Sequence, residues 1–150
     1  MKIAVGCDHA GVELKREILA LLKKAGAETL DFGANDETSV DYPDFGAKVA
    51  AAVSKGELAR GVLICGTGLG MCIVANKFKG VRAALCHDVY TAEMSRRHND
   101  ANILVMGGRV IGKALAAEIL DVWLKTPYEG GRHDRRLKKI TDIEESNEIR

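Results

Sequence analysis

The order of apolar and polar positions along the chain predicts strands that alternate with helices. The segments between the strands repeat apolar residues at helical spacing, as Leu14, Ile18 and Leu22 do in the segment that ends at Gly26. Short apolar runs, typical of buried strands, occupy residues 3–5, 28–32, 62–64, 81–86 and 101–106. Strands that alternate with helices form parallel β-α-β units with helices on both faces of the sheet. The pattern therefore predicts a three-layer, doubly wound α/β fold with a five-stranded parallel sheet.

The end of the chain follows a different pattern. Leu137, Ile140 and Ile143 recur every three residues within a highly charged stretch, which predicts a final helix over about residues 132–148. Its apolar stripe is narrow, so we expect this helix to pack on a partner subunit. No linker, repeat or shift in composition divides the chain, and residues 1–150 are expected to form one domain.

Charge and composition exclude several classes of function. The chain has 22 basic and 21 acidic residues, so no overall field favours nucleic acid or a membrane surface. The first residues do not resemble a signal peptide and no apolar stretch reaches membrane-spanning length, which predicts a cytoplasmic protein. The four cysteines form no C-x-x-C pair, so neither disulfides nor structural zinc are expected.

A glycine-rich loop follows the third predicted strand. Cys65 ends this strand, and Gly66, Gly68 and Gly70 precede an apolar stretch that reads as the start of a helix. Such a loop directs backbone N–H groups towards an anion or a developing oxyanion. The spacing fits neither the dinucleotide fingerprint nor a P-loop, so no nucleotide cofactor is indicated. Two interpretations of Cys65 remain open: a reactive thiol, or a small apolar side chain.

Polar side chains follow the other strands at the edge where the carboxyl ends of a parallel sheet meet. Asp8, His9, the pair His87 and Asp88, and Arg109 occupy these positions. The two aspartates have an alternative interpretation as helix N-caps. We expect a polar pocket at this edge.

Further basic residues lie elsewhere in the chain. Arg132 and Arg136 are four positions apart, a spacing that lets two guanidinium groups hold one phosphate, although spacing alone favours the alternative interpretation of a solvated basic face. His98 ends the fourth predicted helix and acts either as a cap or as a general acid or base. A thiol, histidines and arginines together indicate acid–base chemistry on a small phosphorylated anion.

Several motifs resemble those of the type B ribose-5-phosphate isomerases. They are GCDHAG at 6–11, DYP at 41–43, CGTGLG at 65–70 with ANK at 75–77, RHND at 97–100, GGR at 107–109 and YEGGRH at 128–133. The resemblance implies a Rossmann-like sheet with strand order 2-1-3-5-4. It also implies an aldose–ketose isomerase without metal or cofactor that interconverts ribose 5-phosphate and ribulose 5-phosphate. The implied assembly is a homodimer, or a tetramer formed from two dimers, with active sites shared between subunits.

The resemblance also implies a role for each matching residue. Cys65 would move a proton between C2 and C1 through an enediolate, Thr67 would assist, and His98 would open the sugar ring from the partner chain. The oxyanion would be held by backbone N–H groups of Gly66, Gly68, Leu69 and Gly70. The substrate would be bound by Asp8, His9, Tyr42, Asn99, Arg109, Arg132 and Arg136.

One departure and three alternatives accompany this resemblance. Some members place a glutamate base just after the glycine loop, where this chain has Met71, which favours the thiol as base. Related enzymes act on allose 6-phosphate or galactose 6-phosphate, and residues 34–40 with those around His87 are expected to set the length of the pocket. Two further alternatives belong to other classes of function. They are a phosphosugar sensor without catalysis, and a redox protein in which Cys7 and Cys65 form a pair.

Overall fold

A computed structural model describes residues 1–148, over which the chain forms a five-stranded parallel sheet flanked by helices. The strands are β1 (Lys2–Cys7), β2 (Glu28–Asp31), β3 (Arg60–Cys65), β4 (Ala83–Leu85) and β5 (Ile103–Gly107). The helices are α1 (Val12–Lys24), α2 (Tyr42–Ser54), α3 (Leu69–Ala75), α4 (Val89–Arg97), α5 (Lys113–Lys125) and α6 (Asp134–Glu148). Short 3₁₀ turns at His9–Gly11 and Gly131–His133 precede α1 and α6. The predicted fold class and final helix are confirmed.

The strand order is β2-β1-β3-β5-β4, and every pair of neighbours is parallel. This is the order that the resemblance implies. The chain moves outwards from β1 to β2 and then returns to the other side of β1 with β3. Open α/β sheets form their ligand crevice at such a switch point, beyond the carboxyl ends of the strands. The ends of β1 and β3 are therefore where a site is expected.

Apolar side chains pack on both faces of the sheet, as strands buried on two sides require. Along β3, Val62 and Ile64 face the α1 and α5 layer, while Leu63 and Cys65 face the α2 and α3 layer. Trp123 of α5 is fully buried in the layer that α1 and α5 form on the sheet. The alternation along β3 thus places the Cys65 side chain beneath α3, the helix that follows the glycine loop.

Several predicted boundaries were wrong, and two of them have a local reason. The helix after the glycine loop, predicted over residues 70–78, ends at Ala75 because Asn76 hydrogen-bonds both backbone groups of Ala83 at 2.9 Å and so joins the start of β4. β4 begins later than predicted because the N–H of Arg82 donates to a side chain, Asn102 Oδ1, at 2.8 Å. Asp8 caps the 3₁₀ turn through the N–H of Ala10 and does not cap α1.

Within residues 1–148, none of the helices combines the length and the apolar character that crossing a membrane requires.

Candidate active site

The residues after β1, β3 and β5 meet at one edge of the sheet. The N–H of Asp8 donates to Ile64 O at 3.2 Å, that of Gly108 to Cys65 O at 2.8 Å and that of Arg109 to Gly66 O at 3.0 Å. The predicted convergence is confirmed. We name the group formed here the glycine-loop cluster; its members are Asp8, His9, Tyr42, Cys65, Gly66, Thr67, Gly68, Leu69, Gly70 and Arg109.

Cys65 lies under the loop with its sulfur held by the backbone. The residue is only 4% exposed, and its Sγ accepts a hydrogen bond from the N–H of Gly68 at 3.2 Å. That N–H is positioned to stabilise negative charge on the sulfur. Burial raises the pKa of Cys7 and of Cys86 to about 11, so these two remain thiols at neutral pH. Cys65 is thus the cysteine whose surroundings favour chemistry.

The backbone N–H groups of the loop differ in whether they already have a partner within the chain. The N–H of Leu69 donates to Thr67 Oγ1 at 3.3 Å, and that of Gly68 is engaged by the sulfur, so both already have partners within the chain. The first hydrogen bond inside α3 runs from Cys72 N to Gly68 O, which leaves the amide of Gly70 among the unpaired N–H groups of the first turn. Within the loop, Gly70 is therefore better placed than Leu69 to donate to an oxyanion.

Side chains from three other elements surround this loop. His9 Nδ1 accepts the N–H of Val40 at 3.2 Å, which leaves its Nε2 for a ligand. The ring of Tyr42 packs directly on Gly70, where a Cβ would lie 2.6 Å from ring carbons. The Arg109 guanidinium lies beside Gly66, with Nη1 3.5 Å from where a Cβ would stand. An aromatic ring, an imidazole and a cation therefore border the loop.

A buried lysine supports this edge and was missed by the sequence analysis. Lys15 is 3% exposed, donates to Ala34 O at 2.7 Å and pairs with Asp31 at 2.8 Å. It fixes the start of the loop over residues 33–41, whose far end meets His9. Its signal in the sequence was its position three residues before Ile18, on the apolar face of α1.

His98 and the two C-terminal arginines form a separate group. A cavity of about 370 Å³ is lined by His98, Asn99, Arg132, His133 and Arg136, with Leu137 and Ile140 of α6. Arg136 Nη1 donates to Arg132 O at 3.3 Å, which holds the two arginines side by side as their spacing suggests. We name the group of His98, Asn99, Glu129, Arg132, His133 and Arg136 the histidine cluster.

His98 takes the C-cap position of α4, and its side chain makes tertiary contacts. Its backbone N–H bonds to Met94 O at 2.9 Å, so the capping interpretation holds for the backbone. The ring stacks on His133 with centroids 4.3 Å apart and places Nε2 4.0 Å from Glu129 Oε2. Glu129 and His133 were assigned no role from the sequence, although their spacing of four residues within one motif was visible.

The charges in the histidine cluster are coupled. Arg97 donates to the Glu129 carboxylate and lowers the pKa of that group. Burial of the His133 ring, together with the neighbouring His98, lowers the pKa of His133, so its ring is neutral near pH 7. The cluster thus combines neutral imidazole with the guanidinium groups of Arg132 and Arg136, a composition suited to a phosphorylated ligand.

The two clusters lie at opposite edges of the sheet. α4 returns from the carboxyl end of β4 to the amino end of β5, and Asn99 O accepts from Arg82, the residue that precedes β4, at 3.0 Å. β3 has six residues, and at roughly 3.3 Å per residue it separates the two edges by about 16 Å. Cys65 and His98 of one chain are therefore too far apart to act on the same small sugar.

The fold and these two clusters define an α/β enzyme suited to acid–base chemistry on a small phosphorylated molecule, and comparisons with known proteins specify the class. Residues 3–140 match the family model described as Ribose/Galactose Isomerase. Ribose-5-phosphate isomerase B of Escherichia coli strain K12 is 51% identical over 96% of this chain and 97% of its own length. The chain belongs to the ribose/galactose isomerase family and is an isomerase.

Solved structures agree with this assignment. Ribose-5-phosphate isomerase B of Clostridium thermocellum is 58% identical and superposes with a TM-score of 0.96 over 98% of this chain and 99% of that one. Ribose-5-phosphate isomerase B of Mycoplasma genitalium, solved with bound ribulose 5-phosphate, is 42% identical with a TM-score of 0.92 over 96% of each chain.

Proposed function

We propose that this chain interconverts D-ribose 5-phosphate and D-ribulose 5-phosphate by proton transfer through an enediolate, as one catalytic domain in the cytoplasm. The observation that carries the proposal is the Cys65 sulfur, 4% exposed and held by the Gly68 N–H at the tip of β3. Two solved structures that superpose on nearly the whole chain are ribose-5-phosphate isomerases by name, and one of them contains bound ribulose 5-phosphate, which supports this substrate over a hexose phosphate.

In the proposed reaction the Cys65 thiolate removes the proton from C2 of the open-chain aldose. The electrons of that C–H bond form the C1–C2 double bond, and the carbonyl oxygen at C1 gains negative charge. Amide donors at Gly66 and Gly70 stabilise this charge, an effect typically worth about 3 kcal/mol for each donor. The thiol then returns the proton to C1, and the proton of the C2 hydroxyl passes to the C1 oxygen, which leaves a carbonyl at C2 and gives the ketose. Thr67 fixes the loop through the Leu69 N–H.

Ring opening is assigned to His98 of a second protomer. The two clusters lie at opposite edges of one sheet, so a site that needs both must be built from two chains. His98 would protonate the ring oxygen, and Asp8, His9 and Asn99 would hold hydroxyl groups. Arg132 and Arg136 would bind the phosphate from the same side as His98, while Arg109 would do so from the loop side.

Exposed apolar side chains beside each cluster support a homodimer. On α3, next to the glycine-loop cluster, Leu69 and Ile73 are 57% and 62% exposed. On α6, next to the histidine cluster, Ile140 and Ile143 are 50% and 61% exposed. A two-fold axis that pairs such surfaces would bury both and complete two sites at once. In this arrangement α6 would pack on the partner subunit, and its narrow apolar stripe would contact the apolar surface of α3.

The test follows isomerisation of ribose 5-phosphate by NMR in deuterated water. The parent protein is expected to form ketose and to incorporate solvent deuterium at C2 of the aldose. Cys65→Ala should lower both rates at least 100-fold, because it removes the base. Cys72→Ala is the matched control. Cys72 lies on α3, the helix that follows the loop, and its half-buried sulfur bonds to Ala83 O at 3.5 Å, away from the loop. Both rates should remain near those of the parent.

Two outcomes would contradict parts of the proposal. Turnover of allose 6-phosphate without turnover of ribose 5-phosphate would move the substrate class to hexose phosphates. Full deuterium exchange in Cys65→Ala would leave an isomerase with a different base.

A further inference from the structure

Three potential metal ligands meet in the histidine cluster. His98, Glu129 and His133 each direct one ligand atom to a common region, and these atoms lie within 4.8 Å of one another. His133 Nε2 is 3.5 Å and His98 Nε2 is 4.0 Å from Glu129 Oε2. Ligand atoms around a tetrahedral Zn²⁺ are about 3.3 Å apart, given metal–ligand bonds near 2.0 Å. His133 and Glu129 are already near that spacing, and an adjustment of the more exposed His98 ring is needed to complete the set.

Two of these ligands, Glu129 and His133, are held in place without a metal. Arg97 pairs with Glu129 and orients its carboxylate. His133 is buried, with 6% of its surface exposed, and its ring stacks on that of His98. Preorganised ligands and orienting partners of this kind typically raise metal affinity 10- to 100-fold.

The cluster is open on one side. The side chains of His98 and Glu129 are 32% and 36% exposed, which leaves room for an ion to enter and for water to complete its coordination. Two imidazoles and one carboxylate with an open position are the donor set that Zn²⁺ and Co²⁺ take up in proteins.

We propose that His98, Glu129 and His133 form an inhibitory site for a divalent transition-metal ion, so that occupancy by metal and turnover of substrate exclude each other. The inhibitory part rests on the proposed function, since it requires His98 to open the sugar ring. The metal site itself stands on the geometry of the three ligands and requires no activity. Isomerisation without a metal, as the resemblance implies, is compatible with such a site.

Substitution of Arg132 allows the competition between metal and substrate to be measured. Its Nε donates to His133 Nε2 at 3.4 Å, which occupies the lone pair that a metal would use. A metal must displace this contact and overcome the charge of Arg132, whereas a phosphate attracts the same guanidinium. Arg132→Ala should therefore bind metal at least threefold more tightly and ribose 5-phosphate more weakly. A purely structural role for these side chains gives no reason for opposite changes.

The test is a titration of the full chain with Co²⁺, free of substrate, followed by its visible d–d absorption. The parent is expected to bind one ion per chain through nitrogen and oxygen ligands. His133→Gln should weaken binding at least tenfold because it removes a ligand. Glu93→Gln is the matched control: Glu93 also pairs with Arg97, at 3.0 Å, but lies outside the three ligands, so binding should not change.

The outcomes separate the metal site from the proposed function. Equal Co²⁺ binding in His133→Gln and the parent would overturn the site, as would a thiolate charge-transfer band that disappears in Cys65→Ser. Since His133 is buried, the tightening in Arg132→Ala, a surface substitution, decides the matter if His133→Gln does not fold. In the assay with ribose 5-phosphate, Zn²⁺ should raise the apparent KM, and EDTA should reverse this. Binding without inhibition would overturn the inhibitory role alone.

Discussion

Gly68 and Cys65 form one structural unit at the scale of single residues. Gly68 has φ +80°, a conformation that favours glycine, and this turn directs its N–H to the sulfur. A Cβ at this position would also collide with the Leu85 side chain and lie 3.0 Å from the carbonyl carbon of Met106. Backbone conformation and packing therefore both require glycine at the residue that stabilises charge on the thiol.

Gly68→Ala should lower both stability and activity. The positive φ costs about 1–2 kcal/mol for alanine, and relief of the collision adds about 1–3 kcal/mol. Displacement of the N–H from the sulfur should lower kcat/KM about 100-fold. The free energy of unfolding is measured in urea, and turnover with ribose 5-phosphate. Gly56→Ala is the matched control, since φ is +72° there but nothing lies within 4 Å of the Cβ.

The difference between the two alanine variants isolates the packing contribution. Gly56→Ala should lose only about 1–2 kcal/mol of stability, from the strained backbone, and should keep its turnover. Equal losses of stability in both variants would mean that the contact with Leu85 does not constrain the loop.

Residues next to strand ends were predictable, whereas contacts across the fold were not. Cys65, His9 and Arg109 lie at or just after the ends of strands. Parallel strands place such residues at one edge of the sheet, so their positions in the sequence were sufficient to predict that they meet. The contact of Glu129 and His133 with His98 depends on the path of residues 126–133, which return from α5 to the end of α4. No periodicity encodes that path, and only the resemblance drew attention to this motif.

At the scale of secondary-structure elements, α1 holds the loop that borders the site. Lys15 projects from the buried face of this helix, hydrogen-bonds Ala34 O and pairs with Asp31. The other end of that loop meets His9 through the N–H of Val40. A buried charge so placed connects the packing of a helix to the position of the loop that meets His9.

Lys15→Met should destabilise the protein and weaken substrate binding. The substitution preserves the volume of the side chain but leaves Ala34 O with only the weak Cys7 thiol donor, at 3.8 Å, and removes the ion pair with Asp31, which costs about 1–3 kcal/mol. The loop over residues 33–41 should loosen, so KM for ribose 5-phosphate should rise more than kcat falls. Urea unfolding and steady-state kinetics measure the two effects.

Lys23→Met on the same helix provides the comparison. Lys23 is exposed, and an exposed substitution of this kind changes stability by only about 0.5 kcal/mol. If both lysine variants behaved alike, the buried pair would have no part in shaping the loop.

The elements themselves were largely readable from periodicity, and their ends were not. Alternation of strands and helices gave the doubly wound class because each element must bury one face. The end of α3 was missed because the Asn76 side chain hydrogen-bonds the backbone of Ala83 as a neighbouring strand would. The pattern of hydrophobic residues does not reveal such a contact. The strand order came from the resemblance, since sequence periodicity gives the number of strands but not their arrangement.

At the scale of the whole molecule, the two clusters lie too far apart in one chain to form a single site. The glycine-loop cluster lies at the carboxyl edge of the sheet and the histidine cluster at the amino edge, so no rotation of side chains can join them. The proposed assembly with two-fold symmetry would resolve this, because it would place the carboxyl edge of one chain against the amino edge of the other. The exposed apolar faces of α3 and α6 are the surfaces available for that contact.

Mixing two inactive variants tests this arrangement directly. Cys65→Ala and His98→Gln should each be inactive as pure proteins. In a mixed dimer with shared sites, one site carries both substitutions and the other carries neither. Unfolding the two variants together in equal amounts and refolding them should therefore restore about a quarter of the parent activity, since half of the dimers are mixed and each has one intact site.

The recovered activity distinguishes the two possible locations of the site. If each site lay within a single chain, every chain in the mixture would lack one catalytic group, and mixing would restore nothing. The parent protein taken through the same unfolding and refolding corrects for incomplete recovery. Ile143→Asp introduced into both variants should reduce the restored activity, because a charge on the α6 stripe opposes burial against the second chain and leaves both clusters without their counterpart.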